Sequence, residues 1–208
     1  MLQAELQYRE QAANDRRIKN SKLPEYFKLE DFDFISERTL TKVQVKELYS
    51  LKWLEQGRSI VITGPTGVGK SFLAKALGYQ TCLRKRSLLF MSVSDFLEGQ
   101  SMARNTNTYL RFRTKMTKPD VLILDDFGLR KMQSQEAHDF VDLIKERSRG
   151  KPTIITTQVP ILNWTELIED PVVADTLIDR LVHTSVKIDI KGPTYRLIEG
   201  SKLDKLIN

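Results

Sequence analysis

The sequence holds one cysteine, Cys82, in 208 residues, so an internal disulfide is impossible and a stapled extracellular scaffold is excluded. A reducing cytoplasm is the expected compartment. Long apolar runs are also missing: nothing approaches the roughly 20 residues of a membrane helix, and the opening MLQAELQYRE lacks an apolar signal core. The expectation is a soluble, unexported chain without a membrane partner. Acidic residues are outnumbered, 27 against 33 Lys and Arg, for a net charge of +6. So mild an excess bears on partners and says little about fold. Repeats and low-complexity tracts are absent, and a chain of this length can bury about 70% of its unfolded surface.

Residues 1–22 are rich in Gln, Glu, Arg and Asn, and Leu2, Leu6, Tyr8 and Ile18 are too sparse for an apolar face. They form a polar helical arm in this reading. Leu23-Pro24 breaks the pattern, and Tyr26, Phe27, Phe32 and Phe34 follow in a segment expected to lie extended against the domain body. Residues 41–55 carry Val45, Leu48, Leu51 and Leu54 at helical spacing with Trp53, which predicts one amphipathic helix ended by Gly57.

Beyond Gly57 the period changes. Short apolar runs at 59–63, 88–91, 121–124, 153–156 and 185–190 alternate with helical segments. Runs without polar alternation suit strands covered on both faces, so the predicted fold class is α/β, a three-layer sandwich on a mostly parallel five-stranded sheet. The expected division is an arm over 1–22, a domain over 23–190 and a short tail over 191–208.

Gly64, Pro65, Thr66, Gly67, Val68, Gly69, Lys70 and Ser71 fit the pattern G-x-x-x-x-G-K-[ST], between a buried strand and a helix. Glycines let backbone N–H groups turn toward phosphate oxygens, and the helix N-terminus adds positive potential. Lys70 is assigned to the β- and γ-phosphates and Ser71 to Mg²⁺. Asp125 and Asp126 close a hydrophobic strand; Asp125 is the metal-side carboxylate, and Asp126, leaving in another direction, is placed to orient a water. Together the two motifs imply a P-loop nucleoside triphosphatase. No Asn-Lys-x-Asp run reads guanine, which favours ATP. Arg104, Arg111 and Arg113 leave a small-molecule kinase lid open, whereas the paired carboxylates favour water as acceptor.

These residues resemble the AAA+ ATPases of the IstB and DnaC type, transposition helpers and replicative helicase loaders. The resemblance spans about 23–196 and rests on the segment 29–34, the phosphate loop, 122–128, 154–158, Asp170-Pro171, and Asp179-Arg180-Leu181-Val182-His183. The last two pieces look more like IstB. The resemblance implies an AAA+ core without a full helical lid, since 191–208 is too short for one and Arg196 is a weak substitute for the lid arginine. It also implies Phe32 near adenine, Phe72 beside the phosphate loop, Gln158 as a γ-phosphate sensor where the family often has Asn, and Arg180 as a finger reaching a neighbouring subunit. Arg180 requires a homo-oligomer in that role; pairing with Asp179 or Asp175 is the alternative. IstB-like proteins generally carry a longer N-terminal region than the arm here.

Between Glu98 and Asp120 there is no acidic residue, while Arg104, Arg111, Arg113, Lys115 and Lys118 fall there with Tyr109 and Phe112. A helix over 108–116 would set Arg111 and Lys115 on one face, suited to phosphate backbones without reading sequence. The expected function is an ATP-dependent AAA+ ATPase that assembles on duplex DNA and assists a transposase in target selection. Helicase loading is the alternative. A DNA-bound scaffold that switches with ATP but scarcely hydrolyses it stays open, because Asp126 is shorter than the commoner Glu by ~1.5 Å.

Overall fold

The computed structural model describes residues 2–24 and 39–194. The aromatic segment with Phe32 and the tail with Arg196 lie outside them. All five apolar runs are strands: β1 (Ile60–Thr63), β2 (Leu88–Ser92), β3 (Val121–Phe127), β4 (Thr153–Thr157) and β5 (Val186–Asp189). They form one sheet in the order β2-β3-β4-β1-β5, and every pairing is parallel. Because β1 is inserted between β4 and β5, the loop leaving β1 lies beside the ends of strands that are distant in sequence. Such a crossover is where open α/β sheets hold ligands.

Side-chain parity divides the core in two. Val61, Leu122, Leu124 and Ile155 face one layer with α5 (Val93–Asn105) and α7 (Ser134–Arg147). Ile60, Ile62, Ile123 and Ile154 face the other with α4 (Lys70–Leu83). All eight are fully buried, each worth about 1.5–3 kcal/mol relative to exposure. That accounts for the missing polar alternation.

Helix α1 (Leu2–Ser21) is the expected arm, and its last turn is docked. Ile18 and Ser21 are buried; the Ser21 hydroxyl donates to the Ile18 carbonyl at 2.6 Å and accepts from Leu23 N–H at 3.2 Å, closing the helix. Glu10 pairs with Lys85 of the body. One apolar residue at the right turn anchors what looks polar by composition. The single helix expected over 41–55 is instead two, α2 (Lys42–Tyr49) and α3 (Lys52–Glu55). Thr41 and Gln44 cap α2 reciprocally, but Leu51 turns left-handed, φ 60°. That break buries Leu51 and lets the Trp53 indole N–H donate to the Leu48 carbonyl at 2.9 Å. Gly57, φ 65°, ends the pair as expected.

At the start of β3 and β4 lies a buried cation that has no carboxylate bonded to it among the described residues. The Arg147 guanidinium, 1% exposed, donates to the carbonyls of Met116, Pro119, Asp120 and Pro152 and to the Thr153 hydroxyl at 2.9–3.3 Å. Burial pushes its pKa down to about 10. Carbonyl oxygens spread over three chain segments offset the desolvation and tie α6 (Tyr109–Thr117) to the sheet.

Candidate nucleotide site

The loop between β1 and α4 turns on glycine. Gly64 has φ 145° and runs so close to β5's exit that a Cβ would sit 2.2 Å from the Ile190 carbonyl oxygen. Val68 is fully buried and anchors the loop from within. Pro65 and Thr66 stay exposed, and Lys70 begins α4. Lys70 as a whole is 7% exposed, and its ammonium donates to the Pro65 carbonyl at 2.7 Å across the loop. Burial lowers its pKa, with Asp126 and Asp125 pulling the other way. Ser71 and Phe72 follow half-buried, Phe72 packed on the α4-side core.

The acidic pair sits in a bulge. Leu124 pairs with Ile155 and Phe127 with Thr157, so Asp125 and Asp126 together oppose Thr156 alone. An extra residue re-aims a strand's side chains. Asp125 stays in register with Ser92 of β2 and is buried, while Asp126 is flipped to φ 61° and exposed. Aspartate is among the few residues that tolerate this left-handed region. Partial burial and the Asp125 charge hold the Asp126 carboxyl above its ordinary range, against Lys70 and Lys75.

The end of β4 completes the cluster. The Thr157 hydroxyl donates to the Phe127 carbonyl at 2.7 Å and accepts from Val159 N–H at 3.0 Å, turning the chain outward. Gln158 is thereby exposed, and its Oε1 accepts from the Thr66 hydroxyl at 2.7 Å. Lys70, Asp125, Asp126 and Gln158 thus meet at one end of the sheet. Arg180 is not brought in. It rides a π-helical turn, Ile178–His183, that continues α8 (Pro171–Leu177). Asp170 starts α8 by accepting from Val172 N–H at 2.9 Å, with Pro171 in the first turn. The Arg180 side chain is 51% exposed, and its ion pair among the described residues is a loose 3.9 Å approach to Asp179.

The donors fit a polyphosphate: turned backbone, one ammonium and one hydroxyl. Asp125 with Ser71 fits a Mg²⁺ ion that keeps water and phosphate ligands. Among the described residues no group of three His, Cys, Asp or Glu forms an all-protein cage.

The basic cluster is less uniform than its composition. Arg104 grips Asp139 of α7 through two bonds, 2.6 and 2.5 Å, and lies 4.3 Å over the Tyr109 ring. Arg113 donates to Glu146 at 3.0 Å. Phe112 packs against the core, 5.6 Å from Phe96. Arg111 and Lys115 are exposed, and burial together with nearby Lys22 on the α1 side lowers the Lys115 pKa. Asp139 and Arg147 went unnoticed in sequence, and Thr156 entered only as part of the strand and resemblance segment 154–158, with no role of its own; Asp139, polar amid the apolar period of α7, left a signal there.

A glycine-turned loop facing strand-end carboxylates across a β1/β4 crossover defines a P-loop nucleotide-binding domain. The chain belongs to the IstB-like ATP binding protein family, whose sequence pattern matches residues 1–202. It is 35% identical over 196 residues to the insertion sequence ATP-binding protein y4pL of Sinorhizobium fredii, covering 94% of this chain and 80% of that one. It is 34% identical over 201 residues to the insertion sequence IS21 ATP-binding protein of Pseudomonas aeruginosa, covering 97% and 76%. The crystal structure of the DnaC helicase loader shares the fold, with a TM-score of 0.61 and 19% identity over 84% of this chain and 99% of that one. No helix among the described residues is long and apolar enough to cross a membrane.

Proposed function

We propose that the protein is a cytoplasmic ATPase that assembles on duplex DNA, hydrolyses ATP at sites shared between subunits and assists a transposase in choosing its target. The observation that carries this reading is the meeting of Lys70, Asp125, Asp126 and Gln158 at the phosphate loop, with Gln158 bonded to Thr66 at 2.7 Å, in a chain of the IstB-like family. Transposase assistance rests on the relatives, which are named for insertion sequences.

In this reading the loop N–H groups and Lys70 hold the β- and γ-phosphates, and Phe32 lies near the adenine. Ser71 and Asp125 hold Mg²⁺, which neutralises charge on the phosphates when bound. Asp126 orients the attacking water, and Gln158 reports the γ-phosphate to the loop. Arg180 is exposed and loosely paired, as a finger offered to a neighbouring subunit must be; such fingers are worth ~10³ to 10⁵ in rate. Arg111 and Lys115 contact the DNA backbone, while Arg113 ties α6 to α7 through Glu146 and Arg104 ties α5 to α7 through Asp139.

The test is multiple-turnover phosphate release across protein concentration, with and without duplex DNA, joined to the salt dependence of DNA affinity. Turnover is expected to rise with both concentration and DNA. Arg111→Ala and Lys115→Ala should each lower the log-log salt slope by about 0.9 at equal fold, whereas Arg104→Ala acts through stability. Assembly on DNA without multiple turnover would convert the reading to an ATP-switched scaffold. Capture of a replicative helicase with no affinity for a transposase would make it a helicase loader.

A further inference from the structure

The Thr156 side chain sits where β3 and β4 lose register. Its hydroxyl is fully buried and has one proton and two lone pairs to place. The proton goes to Asp125 Oδ1. A lone pair accepts the Asp126 backbone N–H at 3.0 Å. One hydroxyl therefore spans both residues of the bulge, fixing the rotation of one carboxylate and the backbone of the other.

We infer that Thr156 is the positioning residue of the acidic pair, fixing the rotation of the Asp125 carboxylate and holding Asp126 in the left-handed conformation that aims its carboxylate outward. The inference rests on the nucleotide reading above and deepens it. Neither bond serves the phosphate loop, which Gly64, Val68 and Lys70 shape from β1 and α4. Loss of the hydroxyl should therefore spare nucleotide grip and damage what depends on the carboxylates. Partners one step behind a metal ligand typically carry 10- to 100-fold in metal affinity or activity.

Thr156→Val keeps the volume and removes the bonds; Thr156→Ser keeps the bonds and removes a methyl. Binding of fluorescent ADP without Mg²⁺ should stay within about twofold of wild type in both. In valine, the Mg²⁺-dependent gain in ATP affinity should fall about 10-fold and kcat by about 10- to 100-fold with KM nearly unchanged, and serine should restore both to within about threefold. Valine with wild-type Mg²⁺ dependence and turnover, or serine as impaired as valine, overturns the inference. If valine fails to fold, Thr156→Cys against Thr156→Ser repeats the comparison, since a thiol is a weak donor of similar size. Wild-type protein without turnover sinks the ATPase reading instead, and the Mg²⁺-dependent binding arm still decides the role of Thr156.

Discussion

Strands β3 and β4 carry a charge cluster at each end, and the two clusters are built on opposite terms. At the entry, Arg147 is sealed from water and five acceptors surround its guanidinium. At the exit, Asp126 is exposed with φ 61°, its carboxyl held above its ordinary range, while Lys70 is held below its own beside a backbone carbonyl. The entry is satisfied and the exit is strained. The same pair of strands thus stores stability at one end and chemical readiness at the other, a division that strain at functional sites leads one to expect.

The largest effect should come from breaking the satisfied end. Arg147→Ala strands four buried or part-buried carbonyls and a hydroxyl, so a loss of about 3–5 kcal/mol is expected by denaturant unfolding. An Arg147→Ala protein as stable as wild type would show that the entry cluster is not a structural knot. The strained end should respond with the opposite sign. Asp126→Gly removes the left-handed cost and should stabilise by about 0.5–1 kcal/mol while abolishing turnover. A carboxyl whose pKa is raised on folding costs stability once ionised, in full at pH above its folded value; that cost declines as pH falls below the folded value and is gone below the unfolded one. Asp126→Asn should therefore capture the charge part of the gain near neutral pH and lose it in acid. A destabilised Asp126→Gly protein would mean that the exit is not strained.

The sequence made one end legible and hid the other. The phosphate loop depends on local chemistry, glycines and a lysine at fixed spacing, so eight consecutive residues announce it. The five strands were equally plain because burial on both faces leaves unbroken apolar runs. Thr156, by contrast, matters only because β3 gains a residue opposite it, and a bulge between strands thirty residues apart has no local signature. Arg147 shows the same blindness: a charged residue at a helix end looks solvated until tertiary packing closes over it. The basic run around α6 showed only half of its environment, since Asp139 and Glu146, which engage Arg104 and Arg113, arrive from α7. The split of α2 from α3 likewise depends on burying Leu51, a demand that periodicity along one helix cannot express.

The central claim is that catalysis needs residues from two subunits, with Lys70 from one and Arg180 from its neighbour. Mixing the Lys70→Ala and Arg180→Ala proteins, each expected to be inactive alone, tests it directly by steady-state phosphate release with duplex DNA. The account predicts that the mixture regains activity, because some junctions then pair an intact phosphate loop with an intact arginine. A mixture as inactive as its parts, or an Arg180→Ala protein that hydrolyses ATP at the wild-type rate at every concentration, would contradict it.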